Sequence, residues 1–263
     1  MTEVDLLVKL REAIKEPHAA IHRMNLSRIS LCLPPQTSRP TLYALGISRY
    51  AEIFYGLEEE WVTFMGDPAD WIGEGSVDRI PDSSDAFDAS DSPERMKSLL
   101  RVLYVPELLR TRALQTDLQF LQSVDPASVE LMSGPNPGSE IRRYIHDHVG
   151  RNPHLLVAWI WILYSAILYG GRELQSQLVK AGPEFWDLSA AELQASRTPS
   201  PLSFWHIDDD DAVKAKFRKL IVHVDQLLTP QEQQDILDES LRIFQKLELL
   251  TLSLDKEAMQ ANP

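Results

Sequence analysis

Residues 159–174 read WIWILYSAILYGGREL, an apolar run that carries two adjacent glycines near its end. The run has the composition of a buried helix, and a glycine inside a helix costs roughly 1 kcal/mol relative to alanine. The glycine pair therefore indicates that something approaches the backbone closely. Both another helix and a flat ligand meet this condition, so the motif alone leaves the two alternatives open.

The segments on either side of this run show the period of helices. Apolar residues recur at three- and four-residue spacing at Leu6, Leu10 and Ile14, and this is the pattern of an amphipathic helix. Similar patterns cover residues 41–64, 139–150, 153–181, 209–228 and 230–255. Convincing strand alternation is missing. The sequence therefore predicts an all-α fold of about seven to nine helices in a single domain spanning residues 1–263.

Composition excludes several classes of function. The net charge of −13 argues against a nucleic-acid partner, because phosphate binding needs clustered cations. The one cysteine, Cys32, excludes an intramolecular disulfide framework and cysteine-based metal clusters. The apolar run from 155 to 171 is short for a membrane span, and the N-terminus lacks the pattern of a signal peptide. We therefore expect no membrane span and a cytoplasmic location.

Three segments interrupt the helical patterns. Residues 67–94 collect many acidic residues together with Gly, Pro and Ser, which predicts a long surface loop. A docking surface for a basic partner is the alternative for this acidic segment. Turn-rich stretches at 133–139 and 197–201 divide the chain into helical blocks rather than into domains.

Generic motifs give little further direction. His18 and His22 lie four residues apart, so on one helix they share a face, as metal ligands or as an ordinary surface pair. Nucleophile elbows, phosphate loops and dinucleotide fingerprints are missing from the sequence.

Four segments, taken in order, resemble the heme oxygenase family. LREAIKEPHAAIHR (10–23) is similar to the family's proximal helix, and YAEIFYGLEEEW (50–61) to its aromatic helix with a Glu-Glu-Glu run. YVPELLRTRALQTDLQFL (104–121) resembles the Pro-Glu-Leu segment, and NPHLLVAWIWILYSAILYGGREL (152–174) resembles the distal helix. Fainter similarity continues through 212–229 and 239–250. The order and spacing of the segments make the resemblance specific.

The resemblance implies a heme site between the proximal and distal helices. His18 falls on the position of the iron ligand, and Gly170 and Gly171 fall where the distal backbone lies over the heme. The implied lining and rim residues, including the cations that approach the heme propionates, are Tyr164, Leu168, Phe244, Arg11, Lys15 and Arg218. The implied activity opens the porphyrin to biliverdin, carbon monoxide and iron. Its electrons come from a reductase, with NADPH as the implied source.

The sequence also departs from the family pattern. Ala166 and Ile167 stand where the better-known members have glycine and a proton-delivering aspartate, so Ile167 is the catalytic position most altered. Pro17 precedes the ligand position, and Val222 replaces a usual cation. Three functions follow, of which the first is favoured. They are a heme-degrading monooxygenase, a heme-binding or sensing protein without turnover, and a scaffold reused for another apolar small molecule in biosynthesis.

Overall fold

The computed structural model describes residues 6–71, 93–193 and 200–261, and every regular element among them is helical. This confirms the predicted all-α class. Short 3₁₀ or π segments connect several α-helices. The α-helices are α1 (Leu6–Leu31), α2 (Thr41–Met65), α3 (Pro68–Trp71), α4 (Pro93–Val102), α5 (Thr111–Val124), α6 (Pro126–Met132), α7 (Gly138–Tyr144), α8 (Leu156–Ser165), α9 (Gly171–Lys180), α10 (Ala190–Leu193), α11 (Asp210–Asp225) and α12 (Pro230–Ala261).

The predicted helical stretches agree with these elements apart from their ends. The stretch at 139–150 begins as α7 and continues through a π segment, Ile145–Val149. The stretch at 230–255 is the first part of the longer helix α12. Most of the predicted acidic loop at 67–94 lies outside the described residues, as does most of the turn-rich stretch at 197–201.

The apolar run forms the central helical stretch of the fold. A 3₁₀ turn, Pro153–Leu155, leads into α8, and a π segment, Ala166–Gly170, joins α8 to α9. All residues from Leu156 to Tyr164 are buried, so α8 is covered on every side, with α2 and α12 among its neighbours. Within the described residues, the stretch Pro153–Lys180 has the length and hydropathy of a membrane span, but 72% of its most apolar window is buried inside the fold. This degree of burial is that of a core helix.

Helix α1 packs along α12 and also contacts α9 and α11. Its buried face carries Leu6, Leu10, Ile14 and Ile21, which continue the predicted period. The helix runs through Pro17 without interruption, although proline lacks the N–H that would bond to the carbonyl four residues earlier. Packing of the apolar face against α12 thus outweighs the loss of one hydrogen bond.

A buried carboxylate links three parts of the core. Glu58 of α2 accepts the Tyr164 hydroxyl (3.0 Å) and the backbone N–H of Arg110 (2.6 Å) at Oε1. Its Oε2 accepts the N–H of Thr111 at 3.0 Å. The two N–H groups belong to the first turn of α5, where helices leave donors unpaired and favour negative charge. Glu58 therefore fixes α5 and the end of α8 to α2.

We predict that Glu58→Ala lowers the free energy of unfolding by about 3 kcal/mol or more, because it leaves buried donors without an acceptor. Urea unfolding followed by circular dichroism measures this loss. Glu59→Ala is the matched control, because Glu59 is exposed and pairs with Arg142 at 2.8 Å. Such a surface pair contributes about 1 kcal/mol at most. Equal effects of the two substitutions would contradict the proposed role of Glu58.

Candidate ligand cleft

A cavity of about 240 Å³ opens between α1, the α8 stretch and α11. Three of its residues come from the central stretch at four-residue spacing, so they lie along one helix face. Apolar and aromatic side chains form most of the wall, and two arginines stand among them. The lining residues are Leu7, Arg11, Trp161, Ser165, Tyr169, Phe217, Arg218 and Ile221.

Cations border this cavity from two helices. Arg11 of α1 and Arg218 of α11 both line it, and both residues are exposed to solvent. The ammonium group of Lys214 lies 5.4 Å from the ring centroid of Tyr169, a lining residue. Guanidinium groups bind carboxylates through paired, charge-assisted hydrogen bonds. The cavity is therefore suited to an apolar ligand that carries carboxylates.

His18 lies seven residues beyond Arg11 on α1, which is roughly 10 Å along the helix axis. The residue is exposed, but its imidazole meets Phe244 edge-on (ring centroids 6.2 Å apart) and stacks on His22 (6.1 Å). Partial desolvation, and secondarily His22, lowers the pKa of His18 below its usual value. This keeps the imidazole neutral, which is its metal-binding form.

Two further contacts define the surroundings of His18. Nε2 of His22 lies 3.5 Å from Oε2 of Glu173, so this pair joins α1 to α9. Lys15 is exposed, pairs with Glu12 at 3.9 Å and is not among the described cavity-lining residues. The structure thus brings Arg11 and Arg218 to one cavity. His18, which packs against Phe244, and Lys15 are not among the described residues that line it.

The two adjacent glycines have different neighbours. A Cβ atom on Gly170 would meet no described heavy atom within 4 Å, whereas a Cβ on Gly171 would lie 3.5 Å from Cε3 of Trp205. The residue before Trp205 is held in place by Asp117 of α5, which accepts the N–H of Phe204 at 2.8 Å. Gly171 therefore accommodates another part of the protein, while Gly170 borders open space.

Tyr164 belongs to the core rather than to the cavity. Its side chain is fully buried and packs against Trp61 and Phe217, with ring centroids 6.2 and 6.4 Å away. Burial, and then the charge of Glu58, raises the pKa of Tyr164 well above its usual value. Its hydroxyl donates to Glu58, and Tyr164 is not among the described residues that line the cavity. The structure therefore places Tyr164 in the core and not, as the resemblance implies, in the lining of the ligand site.

Ile167 and Leu168 are also buried, within the π segment that precedes the glycines. A methyl carbon of Ile167 would lie 3.9 Å from a Cβ on Gly171, so Ile167 packs beside the Trp205 contact. The side chain offers no polar atom. π segments are rare in proteins, and those that occur lie frequently at functional sites. Hydrophobic periodicity does not reveal such a segment in the sequence.

Several residues of the cleft escape the sequence prediction. Ser165, Phe217, Ile221 and Leu7 line the cavity, and Glu173 pairs with His22. For Ser165, the sequence offered one signal, which is its four-residue spacing from Trp161 and Tyr169. The contact between His22 and Glu173 joins distant parts of the chain, so it had no local signal.

A second, larger cavity of about 340 Å³ lies between α2 and the region of α7. Two ion pairs lie among its charged side chains. Arg142 bonds to Glu59 at 2.8 Å, and His146 bonds to Glu60 at 2.5 Å. Because these charges are already neutralised across the cavity, the smaller apolar cavity is the better candidate for ligand binding.

The fold and the cleft define a class of protein: an all-α protein in which an N-terminal helix faces a glycine-interrupted core helix across an apolar, cation-bordered cavity. A family model described as heme oxygenase matches residues 84–250. The match covers more than half of the chain, so the chain belongs to the heme oxygenase family.

Solved structures show the same fold. Heme oxygenase-1 from the cyanobacterium Synechocystis, in complex with heme, is 20% identical with a TM-score of 0.67, and the match covers 98% of this chain and 96% of that one. Heme oxygenase from Leptospira interrogans is 20% identical with a TM-score of 0.63, covering 94% and 98%. Heme oxygenase-2 from Synechocystis, in complex with heme and NO, is 15% identical with a TM-score of 0.69, covering 98% and 88%. No curated protein sequence matches this chain significantly.

We predict that Gly170→Ala and Gly171→Ala each raise the free energy of unfolding of the ligand-free protein, by up to about 1 kcal/mol. Both glycines have helical backbone angles, with φ of −94° at Gly170 and −60° at Gly171. An added methyl group meets open space at Gly170 and ordinary van der Waals contact at Gly171. Urea unfolding checks both variants. A loss of stability in Gly171→Ala alone would show that Trp205 cannot tolerate the added carbon.

Proposed function

We propose that this protein binds heme between α1 and the α8–α9 stretch and opens the porphyrin oxidatively. The observation that carries the proposal is the convergence of Arg11 and Arg218 on one apolar cavity beside α8. The distance from Arg11 to His18 along α1 is comparable with the distance from the centre of a porphyrin to its carboxylate ends. Membership of the heme oxygenase family supports heme as the ligand.

The residues present fit heme in their chemistry. A neutral imidazole suits iron, an apolar wall suits the porphyrin face, and two guanidinium groups suit its carboxylates. The cavity volume of about 240 Å³ is smaller than that of most ligand pockets, which start at roughly 300 Å³. We therefore infer that α1 moves away from α9 when heme enters and that the contact between His22 and Glu173 opens.

Bound heme supplies the iron at which oxygen is activated beside the porphyrin. His18 holds the iron from α1, while Arg11 and Arg218 fix the rotation of the ring by binding its carboxylates. Trp161 and Phe217 exclude water from the wall of the cleft. Gly170 has no side chain, so the heme can approach the helix backbone closely at this position.

The proposed products are biliverdin, carbon monoxide and iron, with electrons from an NADPH-dependent reductase. We propose a cytoplasmic location for this reaction, which the low cysteine content supports.

A specific observation favours a second candidate, a heme-binding or sensing protein without turnover. Ile167 is 6% exposed and apolar, and it stands where the family resemblance places a proton-delivering aspartate. An isoleucine neither orders water nor transfers protons. The reuse of the scaffold for another apolar small molecule is tested by the same titration as heme binding.

We predict that purified protein titrated with hemin develops a saturable Soret band and that His18→Ala abolishes the band or shifts it. We expect this change because the substitution removes the imidazole that would hold the iron. Absorption spectroscopy measures the band. His22→Ala is the matched control, because it removes the same type of ring from the same helix face, and we expect it to retain the band.

Three results of this titration would contradict the proposal. The absence of a saturable band would exclude both heme functions and favour another apolar ligand. A band that does not change in His18→Ala would exclude His18 as the ligand. A band lost in His22→Ala but kept in His18→Ala would move the ligand to His22.

We predict that Ile167→Asp increases the rate of ring opening at least about tenfold, since a positioned acid can deliver protons to the reacting oxygen. Formation of biliverdin and release of carbon monoxide, with a reductant and oxygen present, measure the effect. Ile167→Val is the matched apolar control. Unchanged turnover with unchanged hemin binding would show that protons reach the cleft by another route.

A further inference from the structure

Four tyrosine and tryptophan rings form a continuous series from the back of the cavity wall to the surface. Phe217 lines the cavity, and Tyr164 packs against it edge-on with ring centroids 6.4 Å apart. Trp61 lies 6.2 Å from Tyr164, and Tyr104 lies 5.7 Å from Trp61. Trp71 lies 5.5 Å beyond Tyr104. Each ring is therefore in contact range of the next.

Burial changes along the series. Tyr164 and Trp61 are fully buried, whereas Tyr104 and Trp71 are partly exposed. The inner rings thus lie where water cannot quench a radical, and the outer rings lie where solvent reductants have access. A series with this gradient suits the removal of oxidising equivalents from the interior.

The hydrogen bonds of the inner rings suit stepwise oxidation. Oxidised tyrosine is strongly acidic, and the Tyr164 hydroxyl already donates to Oε1 of Glu58 at 3.0 Å. The carboxylate of Glu58 is therefore a ready proton acceptor. The indole N–H of Trp61 donates to the carbonyl of Leu100 at 3.1 Å. A backbone carbonyl does not take up a proton, so oxidised Trp61 remains a radical cation that the next ring readily reduces.

The last electron donor is Tyr104 rather than Trp71. The guanidinium of Arg101 lies 5.1 Å from the Trp71 ring centroid. A nearby positive charge opposes the formation of a tryptophan radical cation. Tyr104 is partly exposed, so its phenolic proton can leave to solvent.

We propose that Tyr164, Trp61 and Tyr104 carry oxidising equivalents from the cleft to the surface. The inference rests on the proposed function, because heme held in the cleft would supply the oxidant when a peroxide is present. Tyr164 gives one electron to the oxidant and its proton to Glu58. Trp61 returns an electron to Tyr164, and Glu58 returns the proton. Tyr104 then reduces Trp61 and releases its proton to solvent.

The net result of one passage is that Tyr104 loses one electron and one proton, while the oxidant gains one electron. A solvent reductant then restores Tyr104, and a second passage follows. Two such passages supply the two electrons that, with two protons, reduce one hydrogen peroxide to two waters. Trp161 and Tyr169 line the cavity and are the competing sites of oxidation. The path therefore protects the cleft wall.

The test treats hemin-loaded protein with hydrogen peroxide and records freeze-quenched electron paramagnetic resonance spectra. A nitroso spin trap and peptide mass spectrometry locate the radical. We expect a tyrosyl signal and a trap adduct on Tyr104, and we expect both the adduct and the surface signal to be lost in Trp61→Phe. In Tyr104→Phe, the signal remains at a buried tyrosine and persists longer.

Tyr50→Phe is the matched control, since Tyr50 bonds to Thr251 (2.6 Å) and lies outside the series. It should keep the adduct on Tyr104. Adducts confined to Trp161 or Tyr169, or an unchanged adduct in Trp61→Phe, would overturn the path. An equal adduct in heme-free protein treated with peroxide would also overturn it.

Soret titration of every variant separates this inference from the proposed function. Normal hemin binding together with one of the contradicting adduct patterns overturns the path alone. Failure of the unsubstituted protein to bind hemin overturns the proposed function and, with it, the path. Because Tyr104→Phe changes a partly exposed residue, it provides a second test if Trp61→Phe does not fold.

Discussion

From Leu156 to Tyr164, helix α8 is buried on every face, and the rest of the structure is arranged around this constraint. Every polar atom on such a helix needs a partner, because an unpaired buried polar group costs about 1–3 kcal/mol. Trp159 donates its indole N–H to Glu239 at 2.9 Å, and Tyr164 donates its hydroxyl to Glu58 at 3.0 Å. Carboxylates from α12 and α2 thus hold α8 from two sides.

The fixed position of α8 determines the cleft. Its continuation presents Trp161, Ser165 and Tyr169 to a cavity that α1 and α11 complete with one arginine each. The π segment then carries Ile167 into the packed interior and leaves Gly170 beside open space. The heme oxygenase fold is therefore kept, while Ile167, which the sequence resemblance sets at the position of a proton-delivering aspartate, is apolar. A cleft of this shape together with an apolar residue at position 167 supports ligand binding more strongly than it supports turnover.

The sequence predicted the elements whose signals are local. Apolar periodicity located α1, α2, α11 and α12, and the ordered motifs identified the family. The orientation of Tyr164 could not be predicted. Helix α8 is apolar on every face, so its sequence does not show which face borders the cavity, and only the neighbouring helices decide this. The different surroundings of Gly170 and Gly171 likewise depend on Trp205, which comes from a distant segment.

In the function we propose, heme lies between α1 and the α8–α9 stretch with His18 on its iron. A crystal structure of the hemin complex tests this most directly. We expect an imidazole nitrogen of His18 bound to the iron and the heme carboxylates on Arg11 and Arg218. We also expect α1 to be displaced so that His22 and Glu173 no longer meet. Hemin bound outside this cleft, or iron ligated by another residue, would contradict it.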